Sequence, residues 1–92
     1  MSIKLTLVKK PSCVPCTMLL RALEERGGEL HELGTEVEVA DITQQPELAE
    51  KHGIMSVPVI LVEKDEELVE RFNGFQDVEG VIDAIKSAKG DD

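Results

Sequence analysis

The chain has 92 residues, 19 of them Asp or Glu and 10 Lys or Arg, for a formal net charge of −9. That balance argues against nucleic acid or an anionic membrane as a partner, since both repel an acidic surface, and the absence of Trp and Tyr removes the usual base-stacking platforms. With 41% hydrophobic and 32% charged residues and no apolar run near the ~20 residues that span a bilayer, a single soluble globular domain over residues 1–92 is expected.

Ile3-Lys4-Leu5-Thr6-Leu7-Val8 reads as a buried strand. Lys4 interrupts its apolar character and Lys9-Lys10-Pro11 ends it, so it lacks a secretory pattern and a cytoplasmic address follows. From Val14 to about Arg26, Met18, Leu19, Ala22 and Leu23 recur at helical spacing, with Arg21, Glu24, Glu25 and Arg26 outside. Pro15 suits the first turn, where a missing N–H costs nothing, and Gly27-Gly28 is expected to end the helix. The next six residues, Glu29 to Gly34, read equally as a helix extension or a loop.

Val37 and Val39, with Ile42 beyond them, alternate with Glu36, Glu38 and Asp41 as in a strand with one apolar face. Thr43-Gln44-Gln45-Pro46 marks a helix start, with Thr43 or Gln44 near the cap; the helix carries Leu48 and Ala49 and stops near Gly53. Val57 to Val62 is almost wholly apolar, as in a strand covered on both faces. Lys64-Asp65-Glu66 is a polar turn, Leu68 to Phe72 returns as its partner strand, and Asn73-Gly74 punctuates. Val78, Val81, Ile82 and Ile85 form a last helical stripe opening at Asp77, followed by a tail, Gly90-Asp91-Asp92. The order β-α-β-α-β-β-α predicts an α/β three-layer sandwich: a four-stranded mixed sheet flanked by three helices.

Both cysteines fall in Cys13-Val14-Pro15-Cys16, where a strand gives way to a helix. Two cysteines are too few for a secreted disulfide framework, and in a reducing compartment such a pair is redox-active or binds metal. If the helix starts near Val14, Cys13 meets the unpaired N–H groups and positive dipole end that stabilise a thiolate, with Lys9 and Lys10 adding positive potential. Cys13 is then the nucleophile, with the Cys16 N–H as its hydrogen-bond donor, because Pro15 has none to offer. Cys16, one turn inward beside Met18 and Leu19, resolves the mixed disulfide. A zinc half-site would need further ligands from His31, His52 or a second copy of the chain. Ser56-Val57-Pro58 is a second feature: a proline opening a buried strand removes a ladder donor, and a cis peptide is one solution. Phe75 fits either an apolar rim around the site or the core, and Glu63 to Glu67 reads as a solvated hairpin tip that protects an edge strand.

Taken in order, Pro11-Ser12-Cys13-Val14-Pro15-Cys16, Asp41-Ile42, Pro46-Glu47-Leu48-Ala49, Gly53 to Pro58 and Gly74 resemble the thioredoxin/glutaredoxin superfamily over nearly the whole chain. The resemblance implies a cis-proline at Pro58, packed against the disulfide, with the Val57 backbone pairing to an extended substrate segment. Full-size thioredoxins carry Trp just before the first Cys and a buried Asp six residues before it, where this chain has Ser12 and Leu7. Lys10 matches the basic residue of glutaredoxins, whereas Gly74-Phe75 replaces their double glycine, with Asp77 retained. The run from Lys10 to Cys16 and Asn73-Gly74-Phe75 are similar to small glutaredoxin-like redoxins, which thioredoxin reductase reduces and which feed ribonucleotide reductase. The implied site has Cys13 and Cys16 as catalytic residues and Lys10, Ser12, Val14, Pro15, Val57, Pro58, Gly74 and Phe75 as substrate-binding residues. The implied protein is a monomer with no bound cofactor or metal, acting on disulfide-bearing proteins with electrons from NADPH through a reductase, or from glutathione.

Overall fold

The computed structural model describes residues 2–90. The chain runs β1 (Ile3–Lys9), α1 (Val14–Glu25), α2 (Gly27–Glu32), β2 (Thr35–Asp41), α3 (Pro46–His52), β3 (Val59–Lys64), β4 (Glu67–Asn73) and α4 (Val78–Gly90). The strands form a mixed sheet in the order β2-β1-β3-β4, with β1 parallel to β2 and antiparallel to β3, and β3 antiparallel to β4.

Alternation along the two central strands divides the apolar residues between two layers. Ile3, Leu5 and Leu7 of β1 and Ile60 and Val62 of β3 face Leu19 and Leu23 of α1, Leu30 of α2, and Val78, Val81, Ile82 and Ile85 of α4. Val8, Val59 and Leu61 point the other way and meet Ile54, Ile42 and Ala49 of α3. This is the expected three-layer sandwich with one helix more.

The additional helix is α2. Gly27 and Gly28 do not terminate a helix; Arg26 does, and Gly27 opens the next one. Neither glycine adopts a positive φ, the conformation that makes glycine a helix stop. The six residues of α2 are too few to hold a helix by themselves, and Leu30, fully buried, anchors them to the larger layer. Arg26 ties the break together, donating to Glu29 at 2.6 Å and to Glu79 of α4 at 2.8 Å.

Other boundaries shift for local reasons. The helix after β2 is capped by Gln45, because Thr43 spends its hydroxyl and its N–H on the Asp41 carboxylate. β3 starts at Val59, two residues later than the apolar run, since Pro58 has no N–H for the ladder. On α1, Cys16, Leu19 and Leu23 enter the core while Met18 stays 56% exposed, so the buried stripe is narrower than the apolar one. Val37 and Val39 are each 40% exposed because β2 is an edge strand. Gly90 ends α4, and the rest of the expected tail, residues 91–92, lies outside the described residues.

Candidate active site

Strand register brings three loops to one end of the sheet. Lys9 pairs with Asp41, Val8 with Val59, and Val59 with Asn73, so β1, β2 and β4 end where β3 begins. The loop after β1 carries Cys13, the loop before β3 carries Val57 and Pro58, and the loop after β4 carries Gly74 and Phe75.

Cys13 is the N-cap of α1 and is joined to Cys16 in a disulfide, with Cα atoms 5.2 Å apart. The Cys16 N–H donates to Cys13 Sγ at 3.3 Å, so the sulfur occupies the position of a capping side chain. Thr17 secures the turn, its N–H and its hydroxyl both donating to the Cys13 carbonyl at 3.0 and 3.2 Å. Ser12, just before, sits at φ 60°, an uncommon conformation for a residue with a Cβ and one that swings the chain from the end of β1 into the helix cap. Cys13 is 8% exposed and Cys16 1%. Leu7, at the position where thioredoxins carry a buried acid, is fully buried.

The Val57–Pro58 peptide is cis. The Pro58 carbonyl accepts from Gly74 N–H at 2.8 Å, stitching the loop before β3 to the loop after β4. Gly74 makes that bond at φ 85°, where a side chain would be strained. Lys10, Ile42, Met55 and Val57 surround a small cavity of about 120 Å³, which places Lys10 beside the segment next to the cis-proline. Ser12, Cys13 and Val14 open onto a larger groove of about 630 Å³ along α1. Pro15 is exposed in the first helical turn, and Phe75, 53% exposed, belongs to the rim of this end and not to the core.

At the margin, Ile42 N–H donates to the Lys9 carbonyl at 2.8 Å, and Asp41 closes a turn by accepting from Thr43 N–H and Oγ1 at 2.9 and 2.6 Å. The two bonds from Thr43, with the Lys9 charge, hold the Asp41 carboxyl below its ordinary value. Among the described residues no group of three or more His, Cys, Asp or Glu is gathered to hold a metal ion.

A redox-capable pair at a helix cap, a cis-proline loop and this strand order occur together. A family model for a glutaredoxin-like domain matches residues 4–86. The chain belongs to the thioredoxin/glutaredoxin superfamily. The thioredoxin of Bacillus subtilis (strain 168) is 37% identical over 75 residues, covering 82% of this chain and 71% of that protein. The thioredoxin of Methanocaldococcus jannaschii is 32% identical over 84 residues, covering 91% and 93%. Among solved structures, a mutant thioredoxin from Halobacterium salinarum NRC-1 superimposes with a TM-score of 0.83 at 28% identity, over 94% of this chain and 74% of that one. The protein is thus a thioredoxin-like thiol–disulfide oxidoreductase with a Cys13/Cys16 pair.

Sequence reasoning missed the Met18 and Arg21 flank of the groove, since Met18 matches the apolar stripe and Arg21 reads as a solvated charge. It also missed Met55, 97% exposed beside the cis-proline loop. A lone exposed methionine has no periodicity to betray it.

Proposed function

We propose that the chain reduces disulfides of other proteins, with Cys13 as nucleophile and Cys16 as resolving thiol, and that thioredoxin reductase restores the dithiol with electrons from NADPH. The observation that carries the assignment of roles is the cap: Cys13 Sγ accepts the Cys16 N–H at the positive end of α1, and Cys13 is the more exposed of the two. In the reduced protein that environment favours the Cys13 thiolate. The thiolate attacks one sulfur of the target disulfide, and the other target sulfur leaves as a thiolate that takes up a proton. Cys16 then gives up its proton and attacks Cys13 Sγ, forming the intramolecular disulfide and releasing the second target thiol. Two electrons and two protons pass to the target. Only sulfur atoms change oxidation state, so no bound cofactor is required, and a monomer in a reducing compartment such as the cytoplasm suffices.

Lys10 beside Val57 favours a second reading, with glutathione as reductant. In that reading the Lys10 ammonium would pair with a glutathione carboxylate and the Val57 backbone with the tripeptide; what supports it is that both residues line one cavity. Ribonucleotide reductase is a candidate target through the resemblance to small redoxins.

Insulin reduction separates the readings. Turnover with NADPH and thioredoxin reductase, and none with glutathione and glutathione reductase, is the expected result. Cys13→Ser should abolish turnover, and Cys16→Ser should leave the target trapped as a mixed disulfide on Cys13. Full activity of Cys13→Ser would defeat the assignment.

A further inference from the structure

Helix α1 carries more apolar surface than the core consumes. Val14 is 69% exposed, Met18 56%, and Ala22 is half-buried, although Leu19 and Leu23 on the same helix are shut in. These three, with Arg21 and Glu25, line the groove of about 630 Å³ that opens at Cys13. Positions 14, 18, 21, 22 and 25 share one helical face. The groove is therefore continuous with the sulfur that a substrate must reach.

Distances along the helix give it a register. At 1.5 Å per residue, Met18 lies about 7.5 Å and Arg21 about 12 Å beyond Cys13, measured along the axis. An extended chain advances about 3.4 Å per residue, so a segment leaving Cys13 meets Met18 about two residues out and Arg21 about four. Arg21 has no ion-pair or hydrogen-bond partner among the described residues, unlike Arg26 one turn on. An unbranched thioether adapts to apolar partners of different shape. A free guanidinium selects a carboxylate.

We infer that this groove is a specificity subsite for the target protein: it takes the polypeptide flank of the disulfide under attack, seating an apolar side chain on Met18 and a carboxylate on Arg21. The inference rests on Cys13 being the attacking thiol, because the groove opens at that sulfur: one flank of the target disulfide can then run along α1 while the other lies by Val57. Glu25 closes the far end and disfavours a further acid beyond.

The test uses symmetric disulfides of short end-blocked peptides, each with a central cysteine, Leu or Ala two residues away, and either Glu or Lys four residues away on both sides. Second-order rates of reduction by the reduced protein are measured at about 0.15 M salt, where the Debye length of about 8 Å screens the distant charges behind the net charge of −9, and the Glu/Lys ratio is taken within each variant, which cancels changes in intrinsic thiol reactivity. The wild type should favour the Glu peptide about fivefold, the effect of one exposed ion pair. Arg21→Glu should invert that ratio, and Met18→Gln should lower the preference for Leu over Ala at the nearer position. A wild-type ratio of one would overturn the subsite. So would a ratio untouched by Arg21→Glu, which would assign the preference to Lys9 and Lys10. Failure to reduce either peptide would overturn the dithiol reading itself, and the subsite with it.

Discussion

At the scale of single residues, Asp41 shows how a site margin can be fixed by two hydrogen bonds. Its carboxylate accepts from Thr43 twice, and the turn it closes sets Ile42 against Lys10 and Val57. Because those bonds favour the charged form, the folded-state pKa lies below the ordinary 3.8. The linkage sign follows: in the unfolded chain Asp41 binds protons more readily, so its contribution to stability is complete above the ordinary value and is lost as pH falls through the lowered one. Glu29, lowered chiefly by its bond from Arg26, acts in the same direction. Thr43→Ala should raise the Asp41 titration midpoint, followed by carboxyl-carbon NMR, yet leave it below the ordinary value, because the backbone N–H still donates. An unchanged midpoint would show that the hydroxyl bond is not the principal cause.

Among the elements, α2 depends most plainly on its surroundings. Six residues opening with two glycines have little intrinsic helicity. Its buried contact is Leu30, so Leu30→Ala should cost about 2–5 kcal/mol in urea unfolding, the range for emptying a leucine site in a packed core. Arg26→Ala, which removes a partly buried ion pair to Glu29 and an exposed one to Glu79, both still open to solvent, should cost less. Equal costs would mean that the ion pairs, and not the core, hold α2 down. The same contrast explains what the sequence revealed. β1, α1 and α4 were legible because repeated apolar positions report burial directly, and Cys13 was legible as a cap because Pro15 suits a first helical turn just before the apolar stripe. α2 was not, since its order comes from one leucine meeting residues distant in the chain, and Gly27-Gly28 argued locally for a stop. The Gly74–Pro58 bond and the Arg26–Glu79 pair were hidden for the same reason. The groove was concealed differently: Met18 obeys the helical period, and only packing shows that the core stops at Leu19 and Leu23.

For the whole molecule, the acidic surface bears on the sheet edges. β2 and β4 are both edge strands, and each leaves large apolar side chains about two-fifths exposed: Val37 and Val39 on one, Leu68 and Val69 on the other. Open edges of that kind invite pairing with another chain. Two devices oppose it. β4 has a register shift opposite Val62/Glu63, which breaks the regular ladder near Leu68. β2 is regular throughout its seven pairs with β1 and relies on Glu36 and Glu38, alternating with its valines. Charge protects only while it is ionised, and the net charge of −9 vanishes near the sequence pI of about 4.6. Light scattering should therefore rise as pH falls toward 4.6, with the β2 edge as the first to pair. Glu36→Thr/Glu38→Thr should begin to associate at a higher pH than Glu47→Thr/Glu50→Thr, which removes the same charge from the exposed face of α3. Both double variants shift the net charge equally, but Glu38→Thr also releases Lys4 from its ion pair at 3.2 Å, so the onsets are compared at pH values where circular dichroism shows both variants folded, and a difference there isolates the edge. Coincident onsets would mean that total charge alone keeps the protein dispersed and that the glutamates of β2 have no special part in it.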